Sequence, residues 1–387
     1  MGAWRFISEK LKFDGKAAVS AIAVSSVIII VSLCISAGFR DEIRRGISSV
    51  NGDITLSDPA SNHLNGGKPI PATPSYSDLI LSVDGIVGMK PAIYRAGVIK
   101  TGEGIKGVMF KGVENSDSTA LTAGIPRNLA LEMNLHTGDR FTSYFIGENV
   151  KARNFTVTEI WDGILDSEEA MVIYTGIEDL RRVNGWEQNE ASVLEITLDN
   201  RFSDRRSLEM KSREIGDIAF SAAREDEPVL MSKASSETFP QLFDWISLIR
   251  ANVTAILALM IIVAGFNMVS GLLIMIFRSS STIGILKTLG MTDRQIAKSF
   301  LLTAGRAILK GLAIGNAAGI ILCLAQKFSG LLKLDPESYF VSKVPISMDW
   351  GAILATDIIS FAAILILLAL PALFISRIDP ADTVKSQ

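Results

Sequence analysis

The sequence predicts a membrane α-helical protein, with four transmembrane helices and an α+β domain inserted between the first and the second. Three observations predict it. Hydrophobic residues make up 48% of the 387, charged residues only 20%, and mean hydropathy is +0.34. That is too apolar for an ordinary soluble chain and too polar for one lying wholly in lipid. The apolar residues gather in uncharged runs long enough to cross a bilayer. Between the first two runs, residues 40–250 alternate strand and helix patterns.

Residues 1–16 form a basic amino-terminal segment with Arg5, Lys10, Lys12 and Lys16. The first span is 17–39, and Ala17 to Phe39 carries no charge. It is longer than the roughly 7 to 15 apolar residues of a cleavable signal, although "SAG" at 36–38 imitates a cleavage site. "VSLC" ending at Cys34 suggests a lipoprotein signal, but Leu33 stands where a small residue is needed. The span is therefore read as an uncleaved anchor.

Residues 40–250 read as an external domain. "AIYRAGVIK" and "IKGVMFKGV" flank the turn "TGEG" as one hairpin, and "RFTSYFI" and "KARNFTVTEIW" flank "GEN" as another. "RNLALEMNL" is helical up to the "HTGD" turn, Thr175 with Glu178 is expected to cap "IEDLRRV", "ASVLEITLD" alternates as a strand, and "SDRRSLEMKSREI" is a polar helix. Strands interleaved with single helices give an α+β domain of two lobes. Phe39, Ile43, Ile47 and Val50 follow the first span at helical spacing, and Phe239, Leu242, Phe243, Ile246 and Ile249 precede the second. Both helices are expected to continue beyond the membrane surface as stalks.

The second span is 251–277, the third 301–326 and the fourth 350–376. Arg306 and Lys310 lie in the first turns of the third, where long basic side chains can snorkel to the interface. Cations concentrate in 1–16, in the 278–300 loop at Arg278, Lys287, Arg294 and Lys298, and in the 377–387 tail. The 327–349 loop balances its lysines with acids. Both termini and the 278–300 loop are thus expected on the cytoplasmic side, and 40–250 and 327–349 outside. Arg40, Arg44 and Arg45 oppose this assignment but precede a long translocated domain, which weighs little in the rule. These cations read as topology signals and membrane-surface contacts, not as a nucleic-acid patch.

Signatures of chemistry are missing. "DGKAA" and "GGKPI" do not complete a phosphate-binding loop, no H-E-x-x-H or G-x-S-x-G occurs, and the two histidines, His63 and His136, are far apart. No catalytic or metal-binding residue is expected. The two cysteines, Cys34 and Cys323, lie inside spans and read as packed membrane residues. Asp357 sits about 10 Å along the last span from Trp350. At mid-bilayer it would cost about 2.5 to 3.5 kcal/mol, so it is expected to face water or another subunit in a structural role.

Packing signals are plainer. Gly311, Gly315 and Gly319, extended backward by Ala307, put small residues on one face of the third span. Asn267 and Gly271, with Ala264, form a similar small and polar face on the second. Such faces serve helix packing within one chain or a seam between two.

The 278–300 loop has its own grammar. Ser279 to Thr282 offer caps, Ile283, Leu286 and Leu289 line one face of a short helix, and Gly290 ends it. Thr292 and Gln295 then make a capping box, with Met291 and Ile296 as its hydrophobic staple. A short helix with an apolar face on the cytoplasmic side needs a partner to cover it.

At these residues the chain resembles a known family. "IGILKTLGMTDRQI", a glycine-rich span and "PALFISRIDPADTV" resemble the carboxy-terminal half of the FtsX-like permeases of ABC transporters. "FISEKL", "FRDEIRRGISSVNGDITL", "LALEMNLHTGDRFTSYF", "RRVNGW" and "LDPESYFVSKVPISMDW" resemble the lipoprotein-releasing LolC and LolE branch of the MacB-type superfamily, so nearly the whole chain is covered.

The resemblance implies a non-catalytic subunit with a periplasmic domain between the first two of four spans. It implies two permeases, copies or paralogues, working with two ABC ATPases, and ATP and magnesium held by the ATPase while this chain binds no cofactor. Lipoprotein or another periplasmic cargo, a periplasmic chaperone and membrane lipid complete the expected partners. Ile283, Gly284, Ile285, Leu286, Lys287, Thr288, Leu289, Gly290 and Met291 would form the segment that couples to the ATPase. Thr282 departs from the acid usual in the family. Alternatives of other kinds are MacB-like export of peptides or drugs, mechanical signalling to an envelope hydrolase or sensor kinase, and, last, an integral-membrane enzyme.

Overall fold

A computed structural model describes residues 16–61, 67–102, 104–114, 120–147, 149–161, 171–202, 204–335, 341 and 343–372. The basic amino-terminal segment before Lys16, His63, the tail from 377 and the end of the fourth predicted span lie outside the described residues. The chain divides into a helical unit, 1–40, 247–333 and 343–387, and a sheet unit, 41–246 and 334–342.

Four helices are long and apolar enough to cross a membrane: α1, Lys16–Asn51; α7, Pro240–Arg278; α9, Asp293–Ser329; and α10, Trp350–Ala372. The first two are far longer than a span requires. α1 therefore continues past the helical unit, and its last turns, from Asp41, belong to the sheet unit, as do the first turns of α7 up to Ile246. In α1 the expected stripe is buried: Phe39, Ile43, Ile47 and Val50.

The helical unit holds one main core. Ala18 and Ile22 of α1, Ala264, Met268, Leu272 and Met275 of α7, Phe300, Ala304 and Ile308 of α9, and Ile364 and Leu368 of α10 meet in it. The short helix α8, Ser280–Thr288, adds Ile283 to the same cluster.

The sheet unit is built on one long strand. β3, Ile86–Lys100, pairs through Ile86–Ala92 with β10, Val193–Leu198, and through Ile93–Lys100 with β4, Ile105–Val113. From β4 the order runs through β8, Val172–Gly176; β5, Thr122–Pro126; β7, Lys151–Trp161; and β6, Arg140–Phe145, which pairs back to β3 at Val98–Lys100. Six strands thus close into a small barrel, which removes free sheet edges.

Its interior is aromatic. Phe110 meets Phe145 edge-on at 4.9 Å and Phe155 at 5.2 Å, inside a cluster with Ile99, Ile125 and Ile173. α3, Arg127–Glu132, and α4, Ile177–Asn184, supply Leu129, Ile177 and Leu180 to it.

The other half of β3 starts a second lobe, where β10 pairs with β1, Ile54–Ser57, and β1 with β11, Met231–Ala234. α5, Arg205–Ala222, buries Leu208, Ile215 and Ala219 on this side. Both predicted hairpins form, as β3–β4 and β6–β7, and the two lobes share β3.

One predicted cap does not form. α4 starts after Gly176, and Thr175 is still in β8, where its hydroxyl donates to the Thr122 carbonyl at 2.8 Å. Strand pairing claims the residue first, and Glu178 instead pairs with Arg181.

Candidate functional site in the helical unit

The 278–300 segment folds as its caps dictate. α8 ends at Thr288, Gly290 takes the left-handed φ of +87°, and α9 begins with the Thr292–Gln295 capping box complete in both directions. Lys287 bridges the break, its ammonium 3.0 Å from the Asp293 carboxylate.

Tertiary packing then divides the predicted coupling residues. Ile283 is 0% exposed, Gly284 is buried, Leu286 is half-buried, and the latter joins Ile283, Ile296 and Met291 against the core of the unit itself. Ile285 and Leu289 are 55% and 75% exposed, with Thr288 and Gly290 beside them. Ile283, Leu286 and Leu289 therefore do not form one outward face. The free apolar face is Ile285 with Leu289, one turn apart, and Ile283 fastens the helix from behind.

The glycine face of α9 meets α1. A Cβ at Gly311 would lie 2.7 Å from Ile22, one at Gly315 2.5 Å from both the Ala23 carbonyl and Ser26, and one at Gly319 3.1 Å from Ile30. Small side chains here let two backbones approach closely, and Ala307 is buried on the same helix. This face is used within the chain.

The α7 expectation divides differently. Ala264 and Met268 are buried, but Asn267 is exposed and Gly271 only half-buried. The close approach falls at Gly265, where a Cβ would meet the Leu367 side chain of α10 at 2.5 Å. Asn267 is turned away from the face that packs through Ala264, Met268 and Leu272.

Asp357 is half-buried and faces other helices of its own chain. Asn316 of α9 donates to its carboxylate at 2.6 Å, and the Ser26 hydroxyl of α1 donates to the Asn316 carbonyl oxygen at 2.6 Å. A polar chain thus joins α1, α9 and α10, and an intramembrane carboxylate finds the partner it requires. Among the described residues no group of His, Cys, Asp and Glu could hold a metal ion.

Sequence reasoning missed how the sheet unit grips the end of α1. Lys111 of β4, with its side chain 2% exposed, donates to the Ser49 and Val50 carbonyls at 3.0 and 2.8 Å and pairs with Glu195 of β10 at 2.8 Å. The Tyr94 hydroxyl touches both the Val50 carbonyl and the Glu195 carboxylate. These carbonyls are orphans of a helix C-terminus, where a cation is favoured. Burial pushes the Lys111 ammonium below the usual lysine range, and Glu195 opposes that shift.

A turn earlier, Arg44 donates to Asn200 at 2.6 Å and to the Leu198 and Asp199 carbonyls at 3.0 and 3.2 Å, and it pairs with Asp53 at 3.4 Å. The only sequence signal was that Lys111 interrupts an apolar strand pattern.

The FtsX-like permease C-terminal family model matches residues 254–380, which hold most of α7 together with α8, α9 and α10, so the chain carries an FtsX-like permease domain beside its four apolar helices. The chain is homologous to the LolC and LolE transmembrane proteins. It is 23% identical to the lipoprotein-releasing system transmembrane protein LolE of Haemophilus influenzae, over 99% of this chain and 98% of that one. It is 19% identical to LolC of Xylella fastidiosa, over 97% and 94%. The crystal structure of the periplasmic region of MacB from Actinobacillus actinomycetemcomitans aligns with 52% of this chain and 95% of its own length, at 10% identity and a TM-score of 0.32.

Proposed function

We propose that this chain is the permease subunit of a lipoprotein-releasing ABC transporter in the bacterial inner membrane. Both termini and α8 face the cytoplasm, and the sheet unit is periplasmic. The observation that supports the cargo is similarity along the whole chain to proteins named for lipoprotein release.

A partner ATPase, which binds ATP and magnesium, docks on α8 through Ile285 and Leu289, and a second permease copy or paralogue completes the complex. The exposed pair at Ile285 and Leu289, backed by the buried Ile283, supports the docking face. α1 and α7 carry the ATPase stroke toward the sheet unit, because each is one unbroken helix.

Depletion of the chain should leave lipoproteins in the inner membrane, and their normal arrival in the outer membrane would refute the cargo. Leu289→Asp should remove ATPase co-purification at least tenfold while the subunit still inserts. Ile283→Asp should instead lower the amount of folded subunit. Equal ATPase capture by wild type and Leu289→Asp would refute the docking face.

A further inference from the structure

The small-residue seam between α1 and α9 has a fourth rung. Its first three pair Ile22 with Gly311, Ser26 with Gly315 and Ile30 with Gly319, each step advancing four residues on both helices. The next step on both is Cys34 and Cys323. They are the only cysteines in the chain, 1% and 2% exposed, and they share a buried cluster with Ile30 and Ile353.

The preceding rung shows how closely the two backbones approach. One rung away, the Cβ that Gly319 lacks would sit 3.1 Å from the Ile30 Cβ. Helices that approach this closely can bring two cysteine Cβ atoms within the roughly 3.5 to 4.5 Å that a disulfide spans. Nearby, the Cys34 carbonyl accepts from the Ser347 amide at 3.1 Å, and the Pro345 carbonyl lies where a Cβ on Gly38 would be, 2.2 Å away. The cysteine end of α1 is therefore held by a second contact.

We propose that Cys34 and Cys323 form an oxidisable dithiol, a modification site at which a small apolar disulfide converts the pair into an intramolecular cross-link between α1 and α9. The burial selects the oxidant, since a bulky protein disulfide cannot reach either sulfur. One thiol loses its proton, and its thiolate attacks the small disulfide, forming a mixed disulfide and expelling one thiolate. The second protein thiolate attacks the cysteine sulfur of that mixed disulfide and expels the other. Two protein thiols are oxidised by two electrons, and the reagent is reduced to two thiols that take up the two protons.

Dipyridyl disulfide added to the full-length protein in detergent provides the test. The expected result is two pyridinethiones released per chain, an intact mass lower by two hydrogens, and a digest in which the Cys34 and Cys323 peptides are joined until reductant is added. Cys34→Ala should release one pyridinethione and keep a pyridyl adduct on Cys323. A wild-type chain that keeps a pyridyl adduct on either cysteine would overturn the proposal. So would two thiols that remain alkylatable in the folded chain under conditions where the denatured chain reacts fully. Both readings come from the wild type, so a poorly folded variant does not affect them.

Discussion

The two ends of α1 are held by opposite physics. Within the helical unit it is seated against α9 by absence of side chain, with Gly311, Gly315 and Gly319 opposite Ile22, Ser26 and Ile30. Lipid is as apolar as leucine, so no hydrophobic driving force favours that contact, and close packing must supply it. Within the sheet unit the last turns of α1 are held by two buried cations, Lys111 of β4 aimed at the helix carbonyls and Arg44 of α1 aimed at the Leu198 carbonyl and the Asp53 carboxylate. Burying a charge is costly unless it is paired and hydrogen-bonded, so the grip depends on every partner being present. A seam of glycines resists added volume, and a cluster of charges resists lost partners.

Breaking the charged end should have the largest effect. Lys111→Ala strips the Glu195 carboxylate of its cation and the Ser49 and Val50 carbonyls of a donor, with an expected loss of about 3 to 5 kcal/mol in the unfolding of the full chain in detergent. The double variant Lys111→Met with Glu195→Leu should recover much of this, and a double variant no better than the single would show that the cost lies in packing.

The glycine end should respond next. Gly315→Val drives a side chain into the Ala23 carbonyl and should cost about 1 to 3 kcal/mol, read as a lower thermal midpoint. A neutral result would mean that α1 and α9 separate freely.

High pH should distinguish the two units, since all the described tyrosines lie in the sheet unit. The Tyr76 phenol, 1% exposed, is pushed up to about 12, first by burial and then by Glu227. The folded form holds its proton above the unfolded value of 10.0, so this contribution is complete below pH 10 and is lost as pH rises toward 12. At pH 11 the loss is about 1 kcal/mol relative to neutral pH. Tyr76→Phe should remove that part of the alkaline instability, and an unchanged profile would assign it elsewhere.

The smallest effect belongs to the Lys287–Asp293 pair beside α8. Asp293 is partly exposed, so Lys287→Met should cost about 0.2 to 1 kcal/mol. A larger loss would show that the pair sets the angle of the helix break.

What the sequence by itself determined was everything governed by one-dimensional periodicity. Long apolar runs located the four spans, the alternating strands located both hairpins, and Gly290 with the Thr292 box located the break before α9, because caps and turns act within a few residues. It also showed that Gly311, Gly315 and Gly319 pack against something.

Only the tertiary structure decided what lies opposite each face. It put α1 against those glycines, joined Asp357 to Asn316 and Ser26, turned Asn267 outward, and divided α8 between Ile283 inside and Ile285 with Leu289 outside. It brought Lys111 to the end of a helix 61 residues away in sequence and Cys34 to Cys323. A helix only nine residues long presents apolar side chains on nearly all sides, so spacing cannot tell its core face from its partner face. Contacts between distant segments are set by close packing and by the need of every buried charge for a partner, and neither leaves a local mark in the chain.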